Sequence, residues 1–165
     1  MVSVRALAFV TVVIVIALHV LRPEISPIER GISRYASGPT LGLMTLAFLA
    51  FGAAFGIAAW KTGSWLLGIA AVAQAGVAAF PDAHVPPDRS VPHTVLGAVF
   101  FVAAAAGLFT SHRSSPLLAW LPLIALVLFF ASAAGVPGLA RIPGLLQRAC
   151  FAALAVSLVT LSGRH

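Results

Sequence analysis

Histidine, arginine and carboxylate side chains occur along this chain at the places where long apolar stretches end. His19 and Arg22 lie one helical turn apart at the end of the first stretch, so a helix would place them on one face. Asp82 and His93 stand in a later polar segment, and Arg148 follows a third one. Imidazole can move a proton or bind a metal, and guanidinium binds carboxylates and phosphates. These residue types therefore favour a polar site assembled from several segments.

The polar residues are concentrated in three segments, residues 22–40, 81–93 and 134–144. The chain is 61% hydrophobic and 8% charged, with a mean hydropathy of +1.06, values that exclude a water-soluble fold. Six stretches are candidate membrane spans: residues 6–21, 41–60, 65–80, 94–110, 117–133 and 145–161. The sequence therefore predicts one all-α domain over residues 1–165, a polytopic bundle of six transmembrane helices.

Alternation of the six spans places the three polar segments on one side of the membrane, called here the loop face. The N-terminus, residues 61–64, residues 111–116 and the C-terminal tail then share the opposite face. Lysine and arginine counts favour a cytoplasmic loop face, whereas unpaired basic residues in short turns favour a cytoplasmic opposite face. We predict a cytoplasmic N-terminus. The basic residues that give the chain its net charge of +6 lie at the expected bilayer edges. This placement indicates contact with lipid headgroups and not with nucleic acid.

The first polar segment contains Ser26-Pro27-Ile28-Glu29, which has the form of a capping box with proline at the first helical position. This pattern predicts a short interfacial helix over residues 27–37, ended by Gly38-Pro39. Glu29 thus has a structural explanation, as a cap, beside a functional one.

His93 and Arg148 are both placed near the starts of helices. Pro92 puts His93 in the first turn of the fourth helix, where the helix dipole disfavours a charged imidazole. Arg148 lies early in the sixth helix, an unfavourable place for a cation, so an acid such as Glu24 or Asp82 is expected nearby. The alternative is that Arg148 extends to lipid phosphates.

Metal chemistry is one alternative for these side chains. His19, Asp82, His84 and His93 include the imidazole and carboxylate ligands that zinc accepts, although their spacing matches no known ligand motif. A haem held by His19 and His93 has less support, because the two histidines are not placed to face each other in the bundle. The single Cys150 has no intramolecular disulfide partner.

Several motifs together resemble a prokaryotic six-helix membrane family known as domain of unknown function 998. They are His19-Val-Leu-Arg22-Pro-Glu24, Ser26-Pro-Ile-Glu-Arg30, Ile32-Ser-Arg-Tyr35-Ala-Ser-Gly-Pro39, Phe80-Pro-Asp82, His93 at the start of a helix, and Gly144-Leu-Leu-Gln-Arg148. The resemblance covers nearly the whole chain and implies a multi-pass protein of the bacterial inner membrane, with no established activity. The family is also distantly similar to eukaryotic six-helix proteins of lipid-anchor remodelling and autophagy.

Two classes of function follow. In the first, the loop face carries a polar pocket that binds a lipid headgroup or small amphiphile, with hydrolase or transferase chemistry as a variant, so whether the protein is an enzyme stays open. Its candidate ligand-binding residues are His19, Arg22, Glu29, Ser33, Tyr35, Asp82, His93 and Arg148. In the second, the protein is a non-catalytic accessory subunit of a larger membrane complex. The expected partners are membrane lipids, joined in the second case by other membrane subunits.

Overall fold

The structure is a computed structural model that describes residues 3–81, 91–112 and 115–163. Its main elements are six helices: α1 (Val4–Leu21), α2 (Leu41–Thr62), α3 (Trp65–Ala79), α4 (Val91–Ser111), α5 (Pro116–Ala133) and α6 (Pro143–Leu161). Three short 3-10 helices, Ile32–Tyr35, Gly38–Thr40 and Leu139–Arg141, lie in the loops between them, and the described residues contain no strand. The predicted all-α bundle of six helices is confirmed.

Five of the helices, all except α3, are long and apolar enough to cross a membrane. The 15 residues of α3 extend about 22 Å, less than the roughly 30 Å of a bilayer core. This helix nevertheless packs along both α2 and α4. Trp60 and Trp65, on either side of the turn that joins α2 to α3, are exposed as residues of a membrane interface commonly are.

The bundle has two groups of buried apolar side chains. The larger one contains an aromatic cluster in which the rings of Phe51, Phe55 and Phe100 contact one another at centroid distances between 5.1 and 5.9 Å. The smaller group includes Ile32 and Tyr35 from the connection between α1 and α2. Tyr35 is fully buried, so this polar connection is packed into the end of the bundle.

The expected interfacial helix is shorter than the sequence suggested. The amide of Glu29 donates to the Ser26 hydroxyl at 3.3 Å, as in a capping box, but only Ile32–Tyr35 is helical. In an α-helix the Ile28 carbonyl would accept from the Ile32 amide. Here that carbonyl accepts from Gly144 and Leu145 at 2.8 and 3.1 Å, and the Ile32 amide donates to Gln147 Oε1 at 2.7 Å. Bonds to α6 replace the helical bond. The predicted extent of the interfacial helix, residues 27–37, is therefore wrong.

Candidate functional site

Arg148, in the second turn of α6, joins the first polar segment to the bundle. Its Nη1 donates to the carbonyls of Pro27, Arg30 and Gly144 at 2.8, 2.7 and 3.0 Å. Its Nη2 lies 3.3 Å from the Tyr35 hydroxyl, and its guanidinium carbon is 5.7 Å from the centre of the Tyr35 ring. We call this set of residues, with His19, the Arg148 cluster. Arg148 thus donates to the carbonyls of Pro27 and Arg30, which would accept from backbone amides if residues 27–37 formed an α-helix.

His19 completes the Arg148 cluster from the last turn of α1. Its Nδ1 lies 2.6 Å from the Val15 carbonyl, and its Nε2 lies 2.7 Å from Arg148 Nε. A carbonyl only accepts and a guanidinium only donates, so Nδ1 carries the proton and Nε2 is the acceptor. The imidazole is therefore held in one neutral tautomer, with both nitrogens engaged.

Two glycines permit the close approach of the first polar segment to α6. A Cβ on Gly144 would collide with the backbone of Arg30, with the Arg30 nitrogen and carbonyl carbon both 2.8 Å away. A Cβ on Gly31 would come within 2.6 Å of Gln147 Oε1. The backbone contact restricts position 144 to glycine, whereas a Cβ at position 31 would displace the end of the Gln147 side chain that accepts from the Ile32 amide.

Arg22 organises the other half of the same segment. Its Nε forms an ion pair with Glu24, and its Nη1 donates to the Ser37 carbonyl at 2.9 Å and the Thr40 hydroxyl at 3.0 Å. The bond from Arg22 and a bond to its own backbone amide hold the pKa of the exposed Glu24 carboxyl below its ordinary value. Arg22 is therefore a bridge from the end of α1 to the start of α2.

No acidic side chain among the described residues pairs with Arg148. Glu24 pairs with Arg22, and the ion pairs found within residues 3–81, 91–112 and 115–163 include none to Arg148. Asp82, the other expected partner, lies outside the described residues. Backbone carbonyls, whose dipoles are negative at oxygen, take the place of a carboxylate among the contacts of Arg148.

A cavity of about 340 Å³ opens beside the Arg148 cluster, between α4, α5 and the first polar segment. Its polar lining residues are Glu29, Ser33, Arg34, His93, Thr94, Ser132 and Gln147. Its apolar wall includes Phe101 of α4 with Phe129 and Phe130 of α5. His93 is 8% exposed, and its Nδ1 lies 2.8 Å from the Phe80 carbonyl, an acceptor, so this nitrogen is the donor. We call this space the loop-face cavity.

The structure divides the predicted site residues into two groups. Glu29, Ser33 and His93 line the loop-face cavity. His19, Arg22, Tyr35 and Arg148 hold the loop to the bundle. Sequence reasoning did not select Arg34 or Gln147 for the cavity, although both stand in the quoted motifs. Asp82 and His84 lie outside the described residues.

The described residues contain no group of three or more histidine, cysteine or acidic side chains that could hold a metal ion. Two members of the zinc candidate set, Asp82 and His84, lie outside them. His19 would have to give up its bond to Arg148 before Nε2 could bind a metal or a haem iron. The zinc and haem alternatives thus gain no support from the contacts of His19.

Six apolar helices with polar loops define a multi-pass α-helical membrane protein. The family model described as "Protein of unknown function (DUF998)" matches residues 6–164, and the chain belongs to this family. The resemblance found in the loop motifs is therefore confirmed. Comparison with curated proteins finds no match, and neither does comparison with solved structures.

Proposed function

We propose that the protein binds a lipid or similar amphiphile in the loop-face cavity. The headgroup would lie among the polar residues near the start of α4, and an acyl chain would run between α4 and α5. The volume of about 340 Å³ is at the lower end of the range for small-molecule sites, enough for a headgroup and the first part of a chain.

The observation that carries this proposal is the change of polarity along α4. His93 and Thr94, in its first turn, stand at the polar end of the cavity, whereas Gly97 and Phe101 lie one and two turns further into the helix. Phe129 and Phe130 of α5 face the same space from the apolar side. A cavity that is polar at the bilayer edge and aromatic at depth matches the two halves of an amphiphile.

The charges in the lining favour a zwitterionic phospholipid. Among the described residues that border the cavity, Glu29 is negatively charged and Arg34 is positively charged. A headgroup with an ammonium and a phosphate would meet an opposite charge for each group. An anionic headgroup without an amine would leave Glu29 facing negative charge.

The orientation of the protein in the membrane decides which leaflet the cavity faces. We infer that it lies in a bacterial inner membrane with its N-terminus in the cytoplasm, because Lys61 lies in the last turn of α2 beside the very short connection to α3, which is typical of cytoplasmic connections. The loop-face cavity would then open to the outer leaflet.

The proposal can be tested by native mass spectrometry of the detergent-purified protein titrated with dioleoyl phosphatidylethanolamine or dioleoyl phosphatidylglycerol. We expect the wild type to retain phosphatidylethanolamine preferentially. Ala98→Trp fills the cavity from α4 and should abolish that retention. Ala152→Trp makes the same change at an exposed position of α6 that does not line the cavity, and should retain the lipid.

Equal retention of lipid by the wild type and Ala98→Trp, with both proteins folded, would show that the cavity is not the binding site. Stronger retention of phosphatidylglycerol would overturn the zwitterionic assignment while leaving an amphiphile site in place.

A further inference from the structure

A second, smaller cavity of about 50 Å³ lies at the inner end of the loop-face cavity. The two spaces share Ser33, His93, Gly97, Phe101 and Gln147 in their linings. The smaller one continues between Phe48, Phe100 and Phe151 toward the centre of the bundle, and Gln74 of α3 borders it. We call it the inner cavity. Its volume would hold one or two water-sized groups, since a water molecule occupies about 30 Å³ in the liquid.

Gln74 is the unusual residue in the inner cavity. It lies in mid-helix and is only 4% exposed, yet its amide forms no hydrogen bond with any residue in the part of the chain that the structure describes. A buried polar group without a partner costs free energy, so such groups are normally paired in proteins. The inner cavity is the space from which a partner could reach this amide.

Three polar side chains among the described lining residues of that space can donate a hydrogen bond: Ser33, Gln74 and Gln147. The Ile32 amide donates to the Gln147 side chain, so the atom that accepts must be the Gln147 oxygen. The two N–H groups of Gln147 are then left to bond a group in the cavity. Neither these N–H groups nor the Ser33 hydroxyl finds a side-chain or backbone acceptor among the described residues. Gln147 can only donate there, whereas the Gln74 amide and the Ser33 hydroxyl can each donate or accept. An acceptor oxygen is the partner that all three groups could bond at once.

That oxygen should belong to an uncharged group. Among the described residues, the lining of the inner cavity contains no aspartate, glutamate, lysine or arginine, in contrast to Glu29 and Arg34 in the outer one. A charge transferred to such a site would be desolvated without a counter-charge.

We propose that the inner cavity binds an ester carbonyl oxygen of the amphiphile, with Gln74 as the residue that selects it. This inference rests on the proposed function and adds the chemical class of the linkage between headgroup and chain.

The test compares two lipids that differ only in this linkage, dioleoyl phosphatidylethanolamine and its dialkyl ether analogue, titrated against the full-length protein. Wild type should bind the ester lipid more tightly, by roughly 3- to 10-fold, which corresponds to one hydrogen bond of ordinary net strength. Gln74→Leu has a similar shape and no donor, so its preference for the ester lipid should be smaller than that of the wild type. Thermal unfolding of the variant confirms that it is folded.

Equal affinity of the wild type for the two lipids would overturn the inference, and so would an ester preference that is as large in Gln74→Leu as in the wild type. Both outcomes still show lipid binding that Ala98→Trp removes, so they leave the proposed function standing. Binding of neither lipid to the wild type would instead defeat the proposed function and this inference with it. The wild-type comparison needs no variant, so it decides the matter even if Gln74→Leu does not fold.

Discussion

The guanidinium of Arg148 contacts five different residues, and three of those contacts are backbone carbonyls of residues outside regular helix or at the start of α6. The Pro27 and Arg30 carbonyls accept no backbone hydrogen bond among the described residues, and Arg148 donates to both of them. Arg148 supplies several donors in a fixed planar arrangement, which suits acceptors that approach from different directions. A residue that could have been a headgroup anchor is thus part of the protein's own framework.

Replacement of Arg148 should therefore destabilise the fold. Arg148→Ala removes the donors of the Pro27 and Arg30 carbonyls, and we expect a loss of about 2–3 kcal/mol, the cost of leaving bonds to a charged group unmade. Arg148→Lys should recover only part of it, because an ammonium cannot reproduce the guanidinium geometry. The measurement is thermal or denaturant unfolding in detergent. Arg141→Ala, at an exposed residue, is the matched control, and equal effects at the two positions would contradict the framework role.

The ion pair of Arg22 and Glu24 predicts a small dependence of stability on pH. The folded-state pKa of Glu24 is lowered, so the carboxylate stabilises the fold above its unfolded-state pKa, and this contribution is lost as the pH falls through the folded-state value. The carboxylate is 59% exposed, so the effect should be slight. Melting temperatures of wild type and Glu24→Gln should differ at neutral pH and converge in acid. A difference that grows with acidification would contradict the pairing.

The contacts of these two arginines were not equally predictable from the sequence. Glu24 lies two residues from Arg22, so their ion pair is a local contact, although the sequence analysis expected Glu24 beside Arg148. Two partners of Arg148 are the backbone carbonyls of Pro27 and Arg30, more than 115 residues away, and a carbonyl has no residue type that a sequence pattern could reveal. The same reasoning explains why Gln147 was missed, since its partner is the amide of Ile32.

Between elements, the first polar segment and the start of α6 satisfy each other's backbone groups. The first amides of a helix have no partner within it, and α6 has no side-chain cap. The Ile28 carbonyl accepts from two of those amides, Gly144 and Leu145. The loop thus caps α6, and α6 in turn determines the conformation of the loop.

Gly144→Ala tests this mutual capping. The added methyl group would meet the Arg30 backbone, which cannot move without breaking the bonds to α6, so we expect a destabilisation of about 2 kcal/mol, typical of overpacking. Gly42→Ala is the control, because a Cβ there meets nothing within 4 Å, and it should be neutral or slightly stabilising in its helix. Denaturant unfolding of the two variants in the same detergent measures the difference. A neutral Gly144→Ala would mean that the loop does not depend on this contact.

Hydrophobic stretches predicted the six helices because length and apolar composition decide a membrane span within a single segment. The capping box of residues 26–29 is also a local signal, and its Ser26 bond is present. It did not produce a helix over residues 27–37 because acceptors and donors of α6, distant in sequence, offered those backbone groups better partners. Local propensity is a weak guide where tertiary bonds compete for the same groups.

The whole molecule is asymmetric across the membrane. The three tryptophans, Trp60, Trp65 and Trp120, are exposed and lie close to the turns of the opposite face. The loop face instead carries Arg22 and Arg148 in internal networks beside the cavity. Aromatic side chains at one edge and bonded arginines at the other indicate that the opposite face is anchored in the interface, while the loop face is organised for internal contacts.

This asymmetry leads to a test of the path of α3, the shortest helix. Residues 61 and 140 are separated by α3, α4 and α5, so they should lie on opposite sides of the membrane only if α3 crosses it. In a Cys150→Ala background, Ala140→Cys and Lys61→Cys each introduce one thiol at an exposed position. With a cytoplasmic N-terminus, a membrane-impermeant maleimide added to intact bacterial cells should label residue 140 and reach residue 61 only after permeabilisation.

The reverse pattern would invert the orientation and move the loop-face cavity to the inner leaflet. Labelling of both thiols from one side would show that α3 does not span, because an even number of crossings would then separate them.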